Sequence, residues 1–341
     1  MNVAINGMGR IGRATFKILA ATPDVNVVAL NDLTPGDNLA YLINHDTVYG
    51  RYPHRVSAKN GALYMADRSF PLSAEADPSR LPWRTHHVDL VFECTGRFNR
   101  RADLTRHLDA GARRVILSAP AKDEDIPTIV YGVNRYDEAD GPILSCASCT
   151  TNCVAPVMEI VSRRIGLRKA LMNTVHAYTS SQAIVDGANK KMRRGRAGAE
   201  NLVPSTTGAA AATTRAFPQL EGLFQGTAVR APVPICSLSD IVMITERPTS
   251  VAELNTLFVE EMRTERYEGV VGVTEDPAVS SDIIQDARAS IIDREMTQVV
   301  GGDLVRVMSW YDNEWGYASQ MVRQAVSMAH FVPAGELLRR T

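Results

Sequence analysis

"NVAINGMGRIGRATFKILA", residues 2–20, runs from an apolar stretch through a glycine turn into a helical period. Val3 to Ile5 reads as a short buried strand. Gly7, Gly9 and Gly12 follow with the spacing GxGxxG, and Ile11, Phe16 and Leu19 then recur at helical intervals. Such glycines permit a tight turn and let a pyrophosphate approach the backbone N–H groups at a helix start. Alone the spacing is weak, because three turn glycines without a ligand look the same. The next run supplies context: "VNVVAL", residues 25–30, ends in Asn31 and Asp32, twenty residues beyond Gly12. An acid there accepts hydrogen bonds from an adenosine ribose and repels a 2′-phosphate. This first βαβ unit favours NAD over NADP.

Outward from it, "VDLVFECTG" (88–96), "RRVILSAP" (113–120), "PTIVYGV" (127–133) and "GPILSCAS" (141–148) are apolar runs that finish in small or polar residues. Strands delivering groups to a crevice at their carboxyl ends read this way, so the pattern predicts an α/β, Rossmann-type doubly wound parallel sheet. Asn60 and Gly61, between alternating segments of "HRVSAKNGALYMADRSFPL" (54–72), predict a hairpin at one edge. After residue 149, longer strands at 170–180, 224–234, 238–248 and 303–312 predict an α+β catalytic domain with a mainly antiparallel sheet. The expected division is 1–148 for dinucleotide binding, completed by a closing helix over 314–341, and 149–313 for catalysis and substrate. Ser250, with Glu253 three residues on, predicts a capping box. The irregular stretch from Ser180 to Val203, rich in Gly, Lys and Arg, has the length of a functional loop.

Composition narrows the partners. At 341 residues, 37 Lys and Arg nearly balance 38 Asp and Glu, which removes any large field for nucleic acid or an anionic membrane. The amino terminus lacks a charged leader followed by an apolar run, and no stretch is long and apolar enough to span a bilayer, so a cytoplasmic location is expected. Five cysteines, an odd number, suit free thiols in a reducing compartment better than a disulfide framework.

Three of those cysteines lie in "SCASCTTNC", residues 145–153. Val154, Val157, Met158, Val161 and Ile165 recur at helical spacing after it, placing Cys149 in the first turn of a helix. Unpaired N–H groups and the helix dipole there stabilise a thiolate. Cys153, one turn on, reads as a packed small hydrophobe. Zinc would need a fourth ligand and usually a second paired motif, so no metal is expected. His176 ends an apolar strand in "NTVHAYTSS". A core histidine would look alike, but a thiol upstream and a dinucleotide fold before both supply the pair needed for covalent oxidation of an aldehyde.

These residues resemble the phosphorylating glyceraldehyde-3-phosphate dehydrogenase family over almost the whole chain. The match runs through "INGMGRIGR", "NDL", "ECTGRF", "SAPAKD", "ASCTTNC", "HAYT", "VDG", "RRGRAGAENLVPSTTGAA" and "WYDNEWGY" in order. The resemblance implies oxidation of D-glyceraldehyde 3-phosphate to 1,3-bisphosphoglycerate with NAD, in glycolysis or gluconeogenesis. Cys149 would form a hemithioacetal and then a thioester, His176 would act as base, and inorganic phosphate would be the co-substrate. It further implies Ser148, Thr150, Arg194, Thr207 and Gly208 as donors to the attacking phosphate, with Thr179 and Arg230 for the phosphate already on the substrate. Arginine and hydroxyl donors suit phosphate oxygens in fixed geometry. Arg10, Ile11, Asp32, Thr95, Gly96, Ser118, Asn313 and Tyr317 join the three glycines around the cofactor, while Trp310, Tyr311 and Trp315 read as core packing. A homotetramer is implied, with the 180–203 loop against a neighbouring subunit's cofactor.

The chain departs from the family at Cys146, where most members carry asparagine, at Ala76 for an arginine near the adenine, at Ala211 for a common lysine, and at Ala188 for a proline. Erythrose-4-phosphate dehydrogenase, a sister family with the same Cys and His and similar "LPW" and "TRAFPQ" segments, is the alternative. Thr179 and Thr207-Gly208 keep the pattern from which that family departs. A non-catalytic binding paralogue is the remote alternative, against which stand the retained Cys149 and His176.

Overall fold

The computed structural model describes residues 1–329. They divide into two compact units: Met1–Ile129, Arg135–Cys146 and residues 321–329 form the first, and Val130–Asn134 with Ala147–Gln320 the second.

The first unit contains β1 (Asn2–Asn6), α1 (Arg10–Ala20), β2 (Asn26–Asn31), α2 (Gly36–Asn44), the short pair β3 (His45–Asp46) and β4 (Gly50–Arg51), and β5 (Val56–Lys59), β6 (Ala62–Met65) and β7 (Arg68–Ser73). β8 (Leu90–Glu93), α3 (Arg101–Asp109), β9 (Arg114–Leu117) and β10 (Ile143–Ser145) follow. Eight strands make one sheet in the order β10-β9-β8-β1-β2-β7-β6-β5. From β10 to β7 every neighbour is parallel, which requires helical crossovers and buries both faces. The chain leaves β1 toward β2 on one side and later resumes at β8 on the other. That reversal opens a crevice at the carboxyl ends of β1 and β8, where doubly wound folds take their ligands. The inner face of α1 seals the sheet through Leu19 and Phe16, whose ring meets Phe70 edge-on at 5.0 Å. Each fully buried side chain of this kind contributes ~1.5–3 kcal/mol.

The hairpin sits at the sheet edge as expected, with Asn60 (φ 49°) and Gly61 (φ 72°) both in the left-handed region that a two-residue turn needs. "PTIVYGV" differs from the expectation. Only Thr128 makes a bridge, to Ser145. Val130 N instead bonds Asn134 Oδ1 in a turn, and the apolar side chains of Val130 and Val133 pack with Ala147, Ala155, Ala212 and Ala216 in the second unit.

That unit contains α4 (Cys149–Arg164), β11 (Leu167–Ala177), β12 (Val203–Thr206), α5 (Ala209–Ala216), β13 (Phe224–Ala231), β14 (Ser237–Thr245), α6 (Val251–Glu261), β15 (Val271–Thr274), β16 (Ser290–Val300) and β17 (Leu304–Tyr311). Seven strands pair in the order β12-β13-β11-β14-β17-β16-β15, antiparallel except for β13/β11 and β16/β15. Along β14 burial alternates residue by residue, and the inward Ile241 and Met243 pack with Val154, Val157 and Met158 of α4. Ser250 caps α6 by accepting from Glu253 N, but the Glu253 carboxylate turns to Arg247 and Thr249 and leaves the capping box half made. The last helix, α7 (Trp315–Ala329), begins in the second unit and passes to the first at Met321. Residues 330–341 of the expected closing helix lie outside the described residues.

Two glycines of the opening motif are held by the fold itself. A Cβ on Gly7 would stand 2.7 Å from Thr95 N, and one on Gly12 only 1.9 Å from Gly7 O. Around Gly9 nothing among the described residues lies within 4 Å of that position. Gly12→Ala is therefore expected to cost at least the ~1–3 kcal/mol of ordinary overpacking, and Gly9→Ala little. Melting temperatures of the two variants check this; equal values would refute it.

Candidate active site

In the first unit the predicted cofactor residues converge on the carboxyl ends of β1, β2, β8 and β9. Gly9 is the N-cap of α1, with no side-chain cap, so its N-terminal N–H groups face outward beside open space. That is the cradle a pyrophosphate fits. Arg10 and Ile11 open the helix; the Arg10 guanidinium is held by Asp46 at 2.8 Å and lies over the Tyr49 ring. The Asp32 carboxylate is fixed by Met8 N on one oxygen (2.6 Å) and Thr34 N on the other (2.8 Å). Thr95 bonds the Glu93 carboxylate through both its N–H and its hydroxyl, and Gly96 (φ 69°) completes that turn. Ser118 N donates to Glu93 O at the end of β9. Asn313 and Tyr317 belong to the second unit, where Ser237 Oγ donates to Asn313 Oδ1 and Tyr317 Oη donates to Ala147 O.

Cys149 is the first residue of α4, directly after the N-cap Ser148, whose Oγ accepts from Thr151 N. His176 lies near the end of β11, and the parallel pairing with β13 sets Arg230 opposite it. Cys149 Sγ stands 3.5 Å from His176 Nε2, while Arg230 Nη1 stands 2.8 Å from His176 Nδ1. Tyr311 closes the floor: its ring meets the imidazole edge-on, and its hydroxyl bonds Thr150 Oγ1 at 2.9 Å and Thr174 Oγ1 at 2.8 Å. Sequence reading took Tyr311 for packing; its polar role depends on partners 137 and 161 residues away.

The predicted anion donors form a second layer. Arg194 reaches Ser205 Oγ through Nε (3.0 Å) and Ser181 Oγ through Nη1 (3.4 Å), and Thr179 Oγ1 bonds the same Ser181 hydroxyl. Ser181 and Ser205 were not anticipated; they sit beside Thr179 and Thr207 in runs of hydroxyl residues that gave no further signal. Thr207 Oγ1 accepts from Ala209 N at the start of α5, and Gly208 is that helix's N-cap. The 180–203 segment is irregular but closed on itself, through Gly187 N to Gly195 O, Gly198 N to Ala183 O, and Asp186 to Arg196.

Cys146 and Cys153, the other two thiols of the segment, are buried. Cys153 packs beside Ser290 Oγ and Ser309 O with its pKa pushed up to about 11. Cys146 belongs to the first unit, with its N–H on Leu117 O, and burial pushes its thiol pKa up. None of the five cysteines, all among the described residues, is in a disulfide.

Burial raises the pKa of Cys149, against the opposing Arg230 charge and the Thr150 N–H. Burial first, then the Arg230 charge, lowers His176 from 6.5 to about 3. Between those two pH values the unfolded chain holds a proton at His176 that the folded one lacks, so acid destabilises the fold by up to ~1.4 kcal/mol per pH unit. Denaturation midpoints from pH 7 to 4 should fall less steeply for His176→Asn than for the wild type; parallel curves would refute the assignment.

Comparison with known proteins identifies the family. Residues 1–101 match the family model for the NAD binding domain of glyceraldehyde 3-phosphate dehydrogenase, and residues 148–313 match its C-terminal domain. The chain is 43% identical over 331 residues to glyceraldehyde-3-phosphate dehydrogenase 1 of Bacillus subtilis, covering 96% of this chain and 98% of that one, with the same figures for the Geobacillus stearothermophilus enzyme. It is also 43% identical over 325 residues to glyceraldehyde-3-phosphate dehydrogenase 2 of Streptomyces avermitilis, covering 94% and 96%. With both domain models matched and near-full-length relatives at this identity, the chain belongs to the glyceraldehyde-3-phosphate dehydrogenase family.

Proposed function

We propose that the protein is an NAD-dependent dehydrogenase that oxidises D-glyceraldehyde 3-phosphate to 1,3-bisphosphoglycerate with inorganic phosphate as co-substrate. The observation that carries this reading is Cys149 Sγ 3.5 Å from His176 Nε2 on a floor of Tyr311, with Arg230 behind the imidazole. Cys149 Sγ attacks the aldehyde carbon, its proton passing to the new oxygen, and a hemithioacetal results. His176 takes the hydroxyl proton of that adduct as the carbon is oxidised, which leaves an acyl thioester on Sγ. Phosphate oxygen then attacks the thioester carbon and the thiolate leaves.

NAD, when bound, supplies the hydride acceptor. Gly7, Gly9 and Gly12, with Arg10 and Ile11 at the α1 terminus, fit its pyrophosphate; Asp32 fits the ribose; Thr95, Gly96 and Ser118 wall the crevice; Asn313 and Tyr317 attend the nicotinamide. A carboxylate pinned by two backbone N–H groups presents a fixed negative charge, which disfavours the 2′-phosphate of NADP. Ser148, Thr150, Arg194, Thr207 and Gly208 supply donors for the attacking phosphate, and Thr179 and Arg230 for the substrate's own. Arg194 and Arg230 carry charge that suits both anions.

A homotetramer and a cytoplasmic location belong to the same reading. Its support is apolar surface: Leu171, 64% exposed, and Val175 on β11, together with Ile184, Val185, Met192 and Leu202 in and beside the irregular loop, face outward. Sedimentation should give four times the chain mass, and Leu171→Glu should lower it; a monomeric wild type would remove this part of the reading.

The chemistry is tested by a steady-state assay with NAD and NADP, with and without phosphate. Turnover should need phosphate and prefer NAD, and kcat/KM should favour glyceraldehyde 3-phosphate over erythrose 4-phosphate. Phosphate-independent oxidation of erythrose 4-phosphate would overturn the assignment. Cys149→Ser should bind NAD as the wild type does and lose ~10⁴-fold or more in turnover, the scale seen when a nucleophile is removed; unchanged activity would refute the covalent route.

A further inference from the structure

Asn313 lies between β17 and α7, and a neighbour holds its backbone in place. The Asp312 carboxylate accepts from Glu314 N (2.9 Å) and Trp315 N (2.8 Å) on one oxygen and from Gln285 N (2.9 Å) on the other. What remains to be set is the side-chain amide, whose two ends have nearly the same shape and opposite chemistry: Oδ1 accepts and Nδ2 donates. A half-turn of the amide exchanges them. Only one end has a partner: Oδ1 accepts from Ser237 Oγ at 3.3 Å, while Nδ2 meets none among the described residues, on a side chain that is 4% exposed. A buried asparagine with a satisfied oxygen and an unsatisfied NH2 points to a ligand that brings an acceptor.

Ser237 decides which end faces that ligand. It opens β14, the strand between β11 and β17, and is buried. Ala177 N donates to Ser237 Oγ at 3.1 Å, and a backbone N–H does nothing but donate. The one proton of the hydroxyl therefore goes to Asn313 Oδ1. With the amide reversed, Nδ2 and Ala177 N would both donate to Oγ, and the hydroxyl proton would be buried without an acceptor. That disfavours the reversed orientation by about tenfold or more. The residue before Ser237 marks the position as constrained: Cys236, buried and not a glycine, has φ 65°. Strain of this kind persists only where the surrounding structure imposes it, and it collects at sites that need a fixed geometry.

We propose that Ser237 is a positioning residue for the cofactor, fixing the Asn313 amide so that the donor Nδ2 is the atom offered to the nicotinamide. The proposal rests on the reading of Asn313 as a nicotinamide residue. A carboxamide carries a carbonyl acceptor and an NH2 donor side by side, so an asparagine free to turn pairs with either end and holds the group in two orientations. A fixed donor pairs only with the carbonyl oxygen and selects one of them. The choice is made before the cofactor arrives, so binding does not have to order the side chain. Ser237 Oγ is also bonded to the backbone N–H beside His176, so the amide that receives the nicotinamide and the strand that carries the base share one hydroxyl.

The test is calorimetric binding to the full-length protein of NAD and two analogues that differ from it only at the ring substituent. 3-Acetylpyridine adenine dinucleotide keeps the carbonyl and lacks an N–H; 3-aminopyridine adenine dinucleotide keeps an N–H donor and lacks the carbonyl. The wild type should bind the acetyl analogue about tenfold or more tighter than the amino one. In Ser237→Ala the amide is free to turn, so that ratio should fall toward one, and Ser237→Thr, which keeps a hydroxyl, should return it. If the Ala variant does not fold, Ser237→Cys, with only a weak donor, takes its place. A residue that merely supports the strand would weaken both analogues equally. A ratio unchanged by the loss of the hydroxyl, a ratio that Thr does not return, or a wild type that prefers the amino analogue overturns the proposal. A wild type that does not bind NAD at all sinks the dinucleotide reading and the proposal with it, whereas NAD binding with an unchanged ratio sinks the proposal alone.

Discussion

Glu93 is a carboxylate with no exposed surface, and the dinucleotide-binding unit is organised around satisfying it. Burying an unpaired carboxylate costs several kcal/mol, so such a charge persists only where donors surround it. Asn6 Nδ2 at 2.6 Å and His107 Nε2 at 3.1 Å meet one oxygen, and the Thr95 N–H and hydroxyl meet the other. The indole of Trp83 can only donate, so its bond to His107 Nδ1 at 3.0 Å fixes the ring proton on Nε2, toward the carboxylate. Asn31 Nδ2 donates in turn to Asn6 Oδ1 and to Glu75 O. One fully satisfied network thereby ties together the carboxyl ends of β1, β2 and β8. The Gly7 turn, the Asp32 carboxylate and the Thr95–Gly96 turn all spring from those ends, so their mutual placement follows from a buried charge and its donors.

Much of this fold was legible because its signals are local. A strand, GxGxxG, a helix and an acid at the end of the next strand are read along the chain, and β1, α1 and β2 fall where that pattern put them. Cys149 at the head of α4 was legible from the apolar spacing behind it, and the edge hairpin from Asn60-Gly61. The misreading was a case where a tertiary partner outbid a local pattern. "PTIVYGV" has strand composition, but Val130 and Val133 belong to the core of the other unit.

What sequence could not supply are contacts across long separations. His176 and Arg230 are 54 residues apart and meet because β11 and β13 pair in parallel register. Tyr311, at the end of β17, meets Thr150 of α4 and reaches Thr174 of β11 across the intervening β14. The same holds for Glu93 and Asn6, 87 residues apart. Each of these residues has an ordinary structural reading in isolation, and only the folded neighbourhood separates a packing tyrosine from one that orients two buried hydroxyls.

The charges of the catalytic unit suit the anion of the proposed reaction. Arg230 lowers the pKa of Cys149 and also lowers that of His176. Its influence favours the thiolate and disfavours the imidazolium, so the two effects oppose each other when a proton moves from sulfur to nitrogen. Burial, the largest influence on both groups, opposes both charges. An anion paired with Arg230 and Arg194 removes the repulsion on the imidazolium, while the N–H groups at the head of α4 still favour the thiolate. In the proposed reaction an interaction with the remote phosphate would act on the reacting atoms rather than on affinity alone, which is how binding free energy away from the chemistry is converted into rate.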